Sequence, residues 1–196
     1  MMRLGLFGGT FDPVHYGHLR TVSSARQELG LPRVLMLPNP HPPHKLREPL
    51  TDFRHRKEML RLAVDEFRDL EMADYEEQAI GPAYTTDTVR RVIASLPDGP
   101  RELWLIIGAD SLIELPLWKD PEALFRDTRV AVLPRPGFDL QKVAPQFRSR
   151  VRILETPFID ISATEIRRRL QTGEPVNGLL PPQVILYIRS HGLYSG

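Results

Sequence analysis

Short apolar runs alternate with longer amphipathic stretches along this chain, and that alternation predicts its elements. Residues 3–7 read as a first strand. Leu19, Val22, Ala25 and Leu29 then recur at helical spacing, and Gly30 followed by Pro32 ends that helix. Residues 34–37 form a compact apolar run, the pattern of a buried parallel strand. The next stretch, Pro38-Asn39-Pro40-His41-Pro42-Pro43-His44-Lys45, is too proline-rich for a helix or a central strand and reads as a stiff loop. A helix follows from about Thr51, with Met59, Leu60, Ala63, Val64 and Phe67 on one face, and another covers about residues 86–96, with Val89, Val92, Ile93 and Leu96 inward. Residues 103–107, 130–133 and 151–154 read as further strands, and 162–170 and 182–190 as closing helices. Strands alternating with helices predict βαβ units and a parallel sheet. No internal repeat or low-complexity tail interrupts the pattern.

The 196 residues fit a single domain, 1–196, whose last part (about 160–196) is helical. Composition changes this picture little: 41% apolar and 26% charged residues are ordinary for a globular chain. A formal net charge of +1 gives no basic field that would argue for nucleic acid or a membrane surface. No apolar run approaches the roughly 18 residues of a membrane span, and the start lacks a signal-type apolar region. Cysteine is absent, which removes disulfides, thiolate nucleophiles and cysteine-ligated metals. These features lead to the expectation of a cytoplasmic protein. Lysine is scarce, with Lys45, Lys57, Lys119 and Lys142 the only four among 26 basic residues, and proline reaches 19. A GC-rich genome or a thermostable protein would each produce that bias.

The chemistry concentrates at the junctions. Gly8-Gly9-Thr10-Phe11-Asp12-Pro13-Val14-His15-Tyr16-Gly17-His18 lies between the first strand and the first helix. In an open α/β sheet this is where nucleotide phosphates bind. Gly8 and Gly9 would let backbone approach a phosphate, and the following N–H groups would point at it. His15 and His18, three apart, fall on one side of a helical turn. A plain glycine turn with two surface histidines and a histidine metal pair are the competing readings; the metal pair lacks an evident third ligand. Thr85, Thr86 and Asp87 open a helix, where their types serve as caps or the helix start holds an anion. Gly108 and Asp110 follow a buried strand at its carboxyl end, where an aspartate could accept from ribose hydroxyls or cap the next short helix. Ser162 and Glu165 form a capping-box pattern, with Ile161 and Ile166 at staple spacing. The same start offers amides and a positive dipole end to an anion, with Arg167 one turn on. Lys45 is a solvated loop lysine or a mobile phosphate partner. Trp118 is a core residue or a stacking platform.

Gly9-Thr10-Phe11-Asp12-Pro13-Val14-His15-Tyr16-Gly17-His18 resembles the signature of the nucleotidylyltransferase superfamily. Pro42-Pro43-His44-Lys45, Tyr84-Thr85-Thr86-Asp87-Thr88, Ile107-Gly108-Ala109-Asp110-Ser111, Trp118 and Ile161-Ser162-Ala163-Thr164-Glu165-Ile166-Arg167 narrow the resemblance to the bacterial nicotinate mononucleotide adenylyltransferases. It extends over residues 4–193. It implies a Rossmann-like, doubly wound parallel sheet with flanking helices, and the reaction of ATP with nicotinate mononucleotide to give nicotinate adenine dinucleotide and pyrophosphate.

The same resemblance implies the site. Gly8, Gly9, Thr10, Phe11, His15, His18, Gly108, Asp110, Ser162, Thr164 and Arg167 would bind ATP. Asn39, His44, Lys45, Tyr84, Thr85, Thr86, Asp110 and Trp118 would bind the mononucleotide. His15, His18, Lys45 and Arg167 would carry catalysis, with Mg2+ held mainly by the ATP phosphates. The family usually carries serine where this chain has Ala163, which removes one hydroxyl from the phosphate side. A sister transferase acting on nicotinamide mononucleotide or phosphopantetheine, and a nucleotide-binding module without turnover, are the alternative functions. A homo-oligomer is compatible with the sequence.

Overall fold

The computed structural model describes residues 1–41, 50–75 and 83–195. Six strands form one sheet: β1 (Met2–Gly9), β2 (Val34–Pro38), β3 (Leu70–Met72), β4 (Arg101–Gly108), β5 (Arg129–Leu133) and β6 (Val151–Ile153). All five pairings are parallel, in the order β3-β2-β1-β4-β5-β6. This is the doubly wound order expected of a Rossmann-like sheet.

The burial pattern explains why the strands read as continuous apolar runs. Along β1, β2 and β4, side chains alternate between two cores rather than between core and water. Val34, Met36, Trp104 and Ile106 face the first core. It is completed by α1 (Tyr16–Leu29), α2 (Phe53–Val64), α7 (Ala163–Thr172) and α8 (Pro182–Ser190). Leu4, Leu6, Leu35, Leu37, Leu103, Leu105 and Ile107 face the second core. There they meet α3 (Thr85–Ser95), α4 (Ala109–Glu114), α5 (Pro121–Asp127) and Phe147 of α6 (Pro145–Arg148).

Helix α4 is the short helix expected after Gly108, whereas strand β3 and helices α5 and α6 go beyond the elements legible in the sequence. β3 is three residues long at the sheet edge, and Asp120 caps α5 by accepting from the Ala123 amide from a left-handed backbone (φ 45°). Such short elements give no periodic signal. The helix expected from about Thr51 begins one cap later, with the Asp52 carboxylate accepting from the Arg54 amide at 2.8 Å.

Candidate functional site

Strand order reverses between β1 and β4, so a crevice opens beyond their carboxyl ends. A cavity of about 220 Å³ occupies it, lined by Gly8, Gly9, Thr10, Gly108 and Ser111 among others. A second cavity of about 350 Å³ is lined by Tyr84, Thr85, Thr86, Trp118 and Lys119. Asn39, Thr85 and Trp118 border both, which makes the two one groove. The groove thus brings together nine of the residues expected from sequence. His15, His18, Ser162, Thr164 and Arg167 line neither cavity; they lie in the first turns of α1 and α7, which meet where Gly17 approaches the Ile161 carbonyl and Arg167 bonds the Asp12 carbonyl of the turn after β1. His44 and Lys45 lie outside the described residues.

His15 caps α1 from an extended backbone, its Nδ1 accepting from the His18 amide at 3.4 Å. An accepting Nδ1 places the proton of the neutral ring on Nε2. His15 is only 4% exposed, and its pKa is lowered to about 2, first by burial and then by the neighbouring His18. It is therefore a neutral donor throughout the physiological range. Its ring stacks on that of His18, centroids 3.7 Å apart.

Gly17 makes this stack possible. A Cβ there would sit 2.8 Å from His15 Nδ1, 2.9 Å from its Cε1 and 3.2 Å from the Ile161 carbonyl oxygen. The glycine of the histidine motif thus serves the close approach of a ring and of the segment entering α7. That requirement could not be read from spacing.

The ring of Phe11, a residue the resemblance places at ATP, is buried and packs edge-on against His18 at 5.2 Å. A Cβ on Gly9 would meet that ring at 2.8 Å, so Gly9 makes room for Phe11 as well as for any ligand. Phe11 itself holds a left-handed φ of 49°. The phenyl ring therefore props the turn, leaving the backbone of this residue as the part able to face a phosphate.

Two positioning residues escaped the sequence reading. Arg56, 1% exposed, donates to the carbonyls of Thr10 (2.7 Å), Asn39 (2.8 Å), Pro40 (3.1 Å) and Thr51 (2.9 Å). One guanidinium thereby ties the loop after β1 to the loop after β2. Its fixed fork of donors suits convergent carbonyls as a lysine would not. Asp12 is the second: its carboxylate accepts from the Tyr194 hydroxyl (2.6 Å) and the Thr51 amide (3.2 Å). Its carbonyl accepts from Arg167 Nη1 at 2.7 Å. A buried arginine in a helical pattern and a motif aspartate bonded 182 positions away leave no local signature.

At the start of α7, Ser162 caps through its hydroxyl, accepting from the Glu165 amide at 3.2 Å. Only this half of the expected capping box forms. The Glu165 carboxylate instead pairs with Arg168 and Arg169 at 2.8 Å each, and those guanidiniums hold its pKa down to about 2. Arg168 and Arg169 are thus engaged along the helix, while Arg167 crosses to the β1 loop and also reaches Thr164 Oγ1 at 3.5 Å. Ser162 and Thr164 are exposed.

At the other end of the groove, α3 begins at Tyr84 without a side-chain cap, contrary to the capping that Thr85, Thr86 and Asp87 suggested. Thr86 is buried, and its hydroxyl donates to the Lys119 carbonyl at 2.6 Å. Asp87 pairs with Lys119 Nζ at 2.8 Å. Both contacts fasten the Trp118 segment to α3, and Trp118 itself is half-buried against the second core. Asn39 is committed to structure too: its Nδ2 donates to the Ala83 carbonyl (3.2 Å) and its Oδ1 accepts from the His41 amide (2.9 Å). Asp110 neither caps α4 nor points free; its carboxylate is paired with Arg135.

A switch-point groove flanked by three helix starts, a neutral histidine donor and an inward arginine defines an α/β protein built to bind an anionic nucleotide. The chain belongs to the cytidylyltransferase-like family, whose model matches residues 6–169, and within it to the nicotinate-nucleotide adenylyltransferases. It is 41% identical to a probable nicotinate-nucleotide adenylyltransferase of Chromobacterium violaceum, over 98% of each chain. A protein of the same name from Moorella thermoacetica is 40% identical, over 98% of this chain and 91% of that one. The fold matches a Plasmodium falciparum nicotinic acid mononucleotide adenylyltransferase complexed with NaAD, with a TM-score of 0.76, 20% identity, and coverage of 99% of this chain and 98% of that one. No helix among the described residues is long and apolar enough to cross a membrane.

Proposed function

We propose that this protein transfers the adenylyl group of ATP to nicotinate mononucleotide, releasing pyrophosphate and forming nicotinate adenine dinucleotide. The observation that carries the reading is one groove with anion-binding features at both ends. The starts of α1 and α7, joined by Arg167, stand at one end, and the uncapped start of α3 beside Trp118 stands at the other. A triphosphate suits the first. A flat pyridine carboxylate suits the second, where aromatic stacking and helix amides both favour it.

The nucleophile is a phosphate monoester whose second pKa is about 6, so at neutral pH it arrives mostly ionised. No general base is needed. The barrier lies in bringing two anions together and in stabilising the charge that develops on the transferring phosphorus and on leaving pyrophosphate. Neutral His15, protonated on Nε2, and His18 beside it would donate to the phosphate oxygens. Arg167 and the α7 amides would hold the leaving group. Lys45 would offset repulsion between the two substrates. Mg2+ would be carried by the triphosphate and would supply charge neutralisation there. The Asp12 carboxylate at the turn is occupied by Tyr194 and Thr51, and Asp110 by Arg135, so the donor set suits an ion held by substrate oxygens.

The test is steady-state pyrophosphate release from ATP with nicotinate mononucleotide, nicotinamide mononucleotide and phosphopantetheine as rival acceptors. The nicotinate acceptor is expected to give the highest kcat/KM. Preference for another acceptor, or no release at all, overturns the reading.

A further inference from the structure

The segment after α8 reaches back into the ATP side of the site. The chain turns at Gly192 (φ 58°), and the Leu193 amide donates to the Ile188 carbonyl at 3.0 Å. Tyr194 then adopts a left-handed φ of 61°, a conformation strained for a bulky residue. What that backbone achieves is visible at the other end of the side chain. The ring packs against the first core, and the hydroxyl donates to Asp12 Oδ1 at 2.6 Å. Burial and the adjacent Asp12 carboxylate both raise the phenol's pKa, so it stays a donor.

Asp12 passes this contact on. Its other carboxylate oxygen accepts from the Thr51 amide, at the entrance to α2. Its carbonyl accepts from Arg167 Nη1 at 2.7 Å. Both groups belong to one residue of the phosphate-side turn. Tyr194 and Thr51 together anchor the residue whose carbonyl holds the Arg167 guanidinium.

We propose that Tyr194 is a positioning residue for adenylyl transfer, acting through Asp12 to aim Arg167 at the leaving group. The proposal rests on the adenylyltransferase reading above. Tyr194 touches no substrate; its effect falls on the geometry of Arg167 at the transition state, not on the affinity of the groove for either nucleotide. Removing the hydroxyl frees one carboxylate oxygen and leaves the ring in place.

The experiment is a double-mutant cycle on the full chain with Tyr194→Phe and Arg167→Met. Pyrophosphate release is measured with ATP and the acceptor that the wild-type protein uses best, and urea midpoints are recorded in parallel. Wild-type turnover tests the enzyme reading by itself, so its failure is separable from failure here. Tyr194→Phe is expected to lower kcat about tenfold while changing either KM less than twofold. In the Arg167→Met background the same change is expected to lower kcat less than twofold, because the group it aims is gone. An equal tenfold loss in both backgrounds overturns the proposal. So does a Tyr194→Phe protein with wild-type kcat, or one whose loss tracks a lowered urea midpoint and recovers at a temperature where the fold is intact.

Discussion

Burial of a neutral histidine at a helix start makes folding stability depend on pH in a calculable way. The His15 pKa is about 2 in the folded protein, against 6.5 for the free side chain, because burial and then His18 oppose its charged form. As pH falls below 6.5 the unfolded chain takes up a proton at this position and the folded one does not. The contribution is therefore fully present above the unfolded pKa and is lost as pH falls toward the folded one. Between pH 7.5 and 5.0 the linkage amounts to about 2 kcal/mol, since each full pH unit below 6.5 is worth about 1.4 kcal/mol. In a chain of this size that corresponds to a fall in Tm of about 4–8 °C. The perturbation that isolates it is His15→Asn. Asparagine retains an acceptor for the His18 amide at the N-cap but does not titrate. Urea unfolding of both proteins at pH 7.5 and 5.0 provides the assay. Asparagine introduces a constant offset from lost packing, and every other titrating group is common to both chains. Wild type is expected to lose about 2 kcal/mol more than the variant between the two pH values. Equal losses would mean that His15 exchanges protons freely in the folded state, and the assignment of its Nε2 as a fixed donor would fail with it.

Four further outcomes are expected. His18→Ala should lower kcat a hundredfold or more, the scale of losing one placed donor, as read by pyrophosphate release. Gly17→Ala gains up to about 1 kcal/mol of helix propensity but places a methyl group 2.8 Å from the His15 ring. The steric effect should win, lowering both Tm and kcat; a more stable, fully active variant would refute that reading. Arg56→Met should destabilise the fold by about 3 kcal/mol or more in urea, because four carbonyls lose their charged donor together. Trp118→Ala should raise KM for the mononucleotide about tenfold and leave KM for ATP unchanged, consistent with the loss of one stacking face.

The sheet was legible because a parallel strand buried on both faces is a continuous apolar run, and β1, β2, β4 and β5 are such runs. β3 was not, since three residues at an edge, Leu70-Glu71-Met72, carry no period. The site divides in the same way. Glycines, histidines and the serine cap stood out because their chemistry is local to a strand-to-helix junction. Arg56 is one of several arginines in its helical stretch, and Tyr194 lies beyond the last helical pattern. Their importance comes from contacts with residues 46 and 182 positions away, which no local pattern encodes. Thr86 and Asp87 allow two readings in sequence, caps or part of an anion-holding helix start; the fold uses both side chains to hold the Lys119 segment, a contact that no local pattern shows.

The arrangement also explains why so few charged groups serve so charged a reaction. Among the described residues, the cations near the groove are mostly engaged. Arg56 is spent on carbonyls, Arg135 on Asp110, Lys119 on Asp87, and Arg168 on Glu165. Asp110, Asp87 and Glu165 are neutralised by the same pairings, which lowers the repulsion ATP would meet. Much of what remains to attract phosphate is dipolar: backbone amides at helix starts and a histidine held neutral. Dipoles fixed by the fold cost nothing to reorient as charge shifts from the α-phosphorus to pyrophosphate. Arg167 would then add a full charge at one place, where it is held by the Asp12 carbonyl. A neutral hydrogen-bond acceptor of this kind would keep the guanidinium in position and leave its charge available to the leaving group.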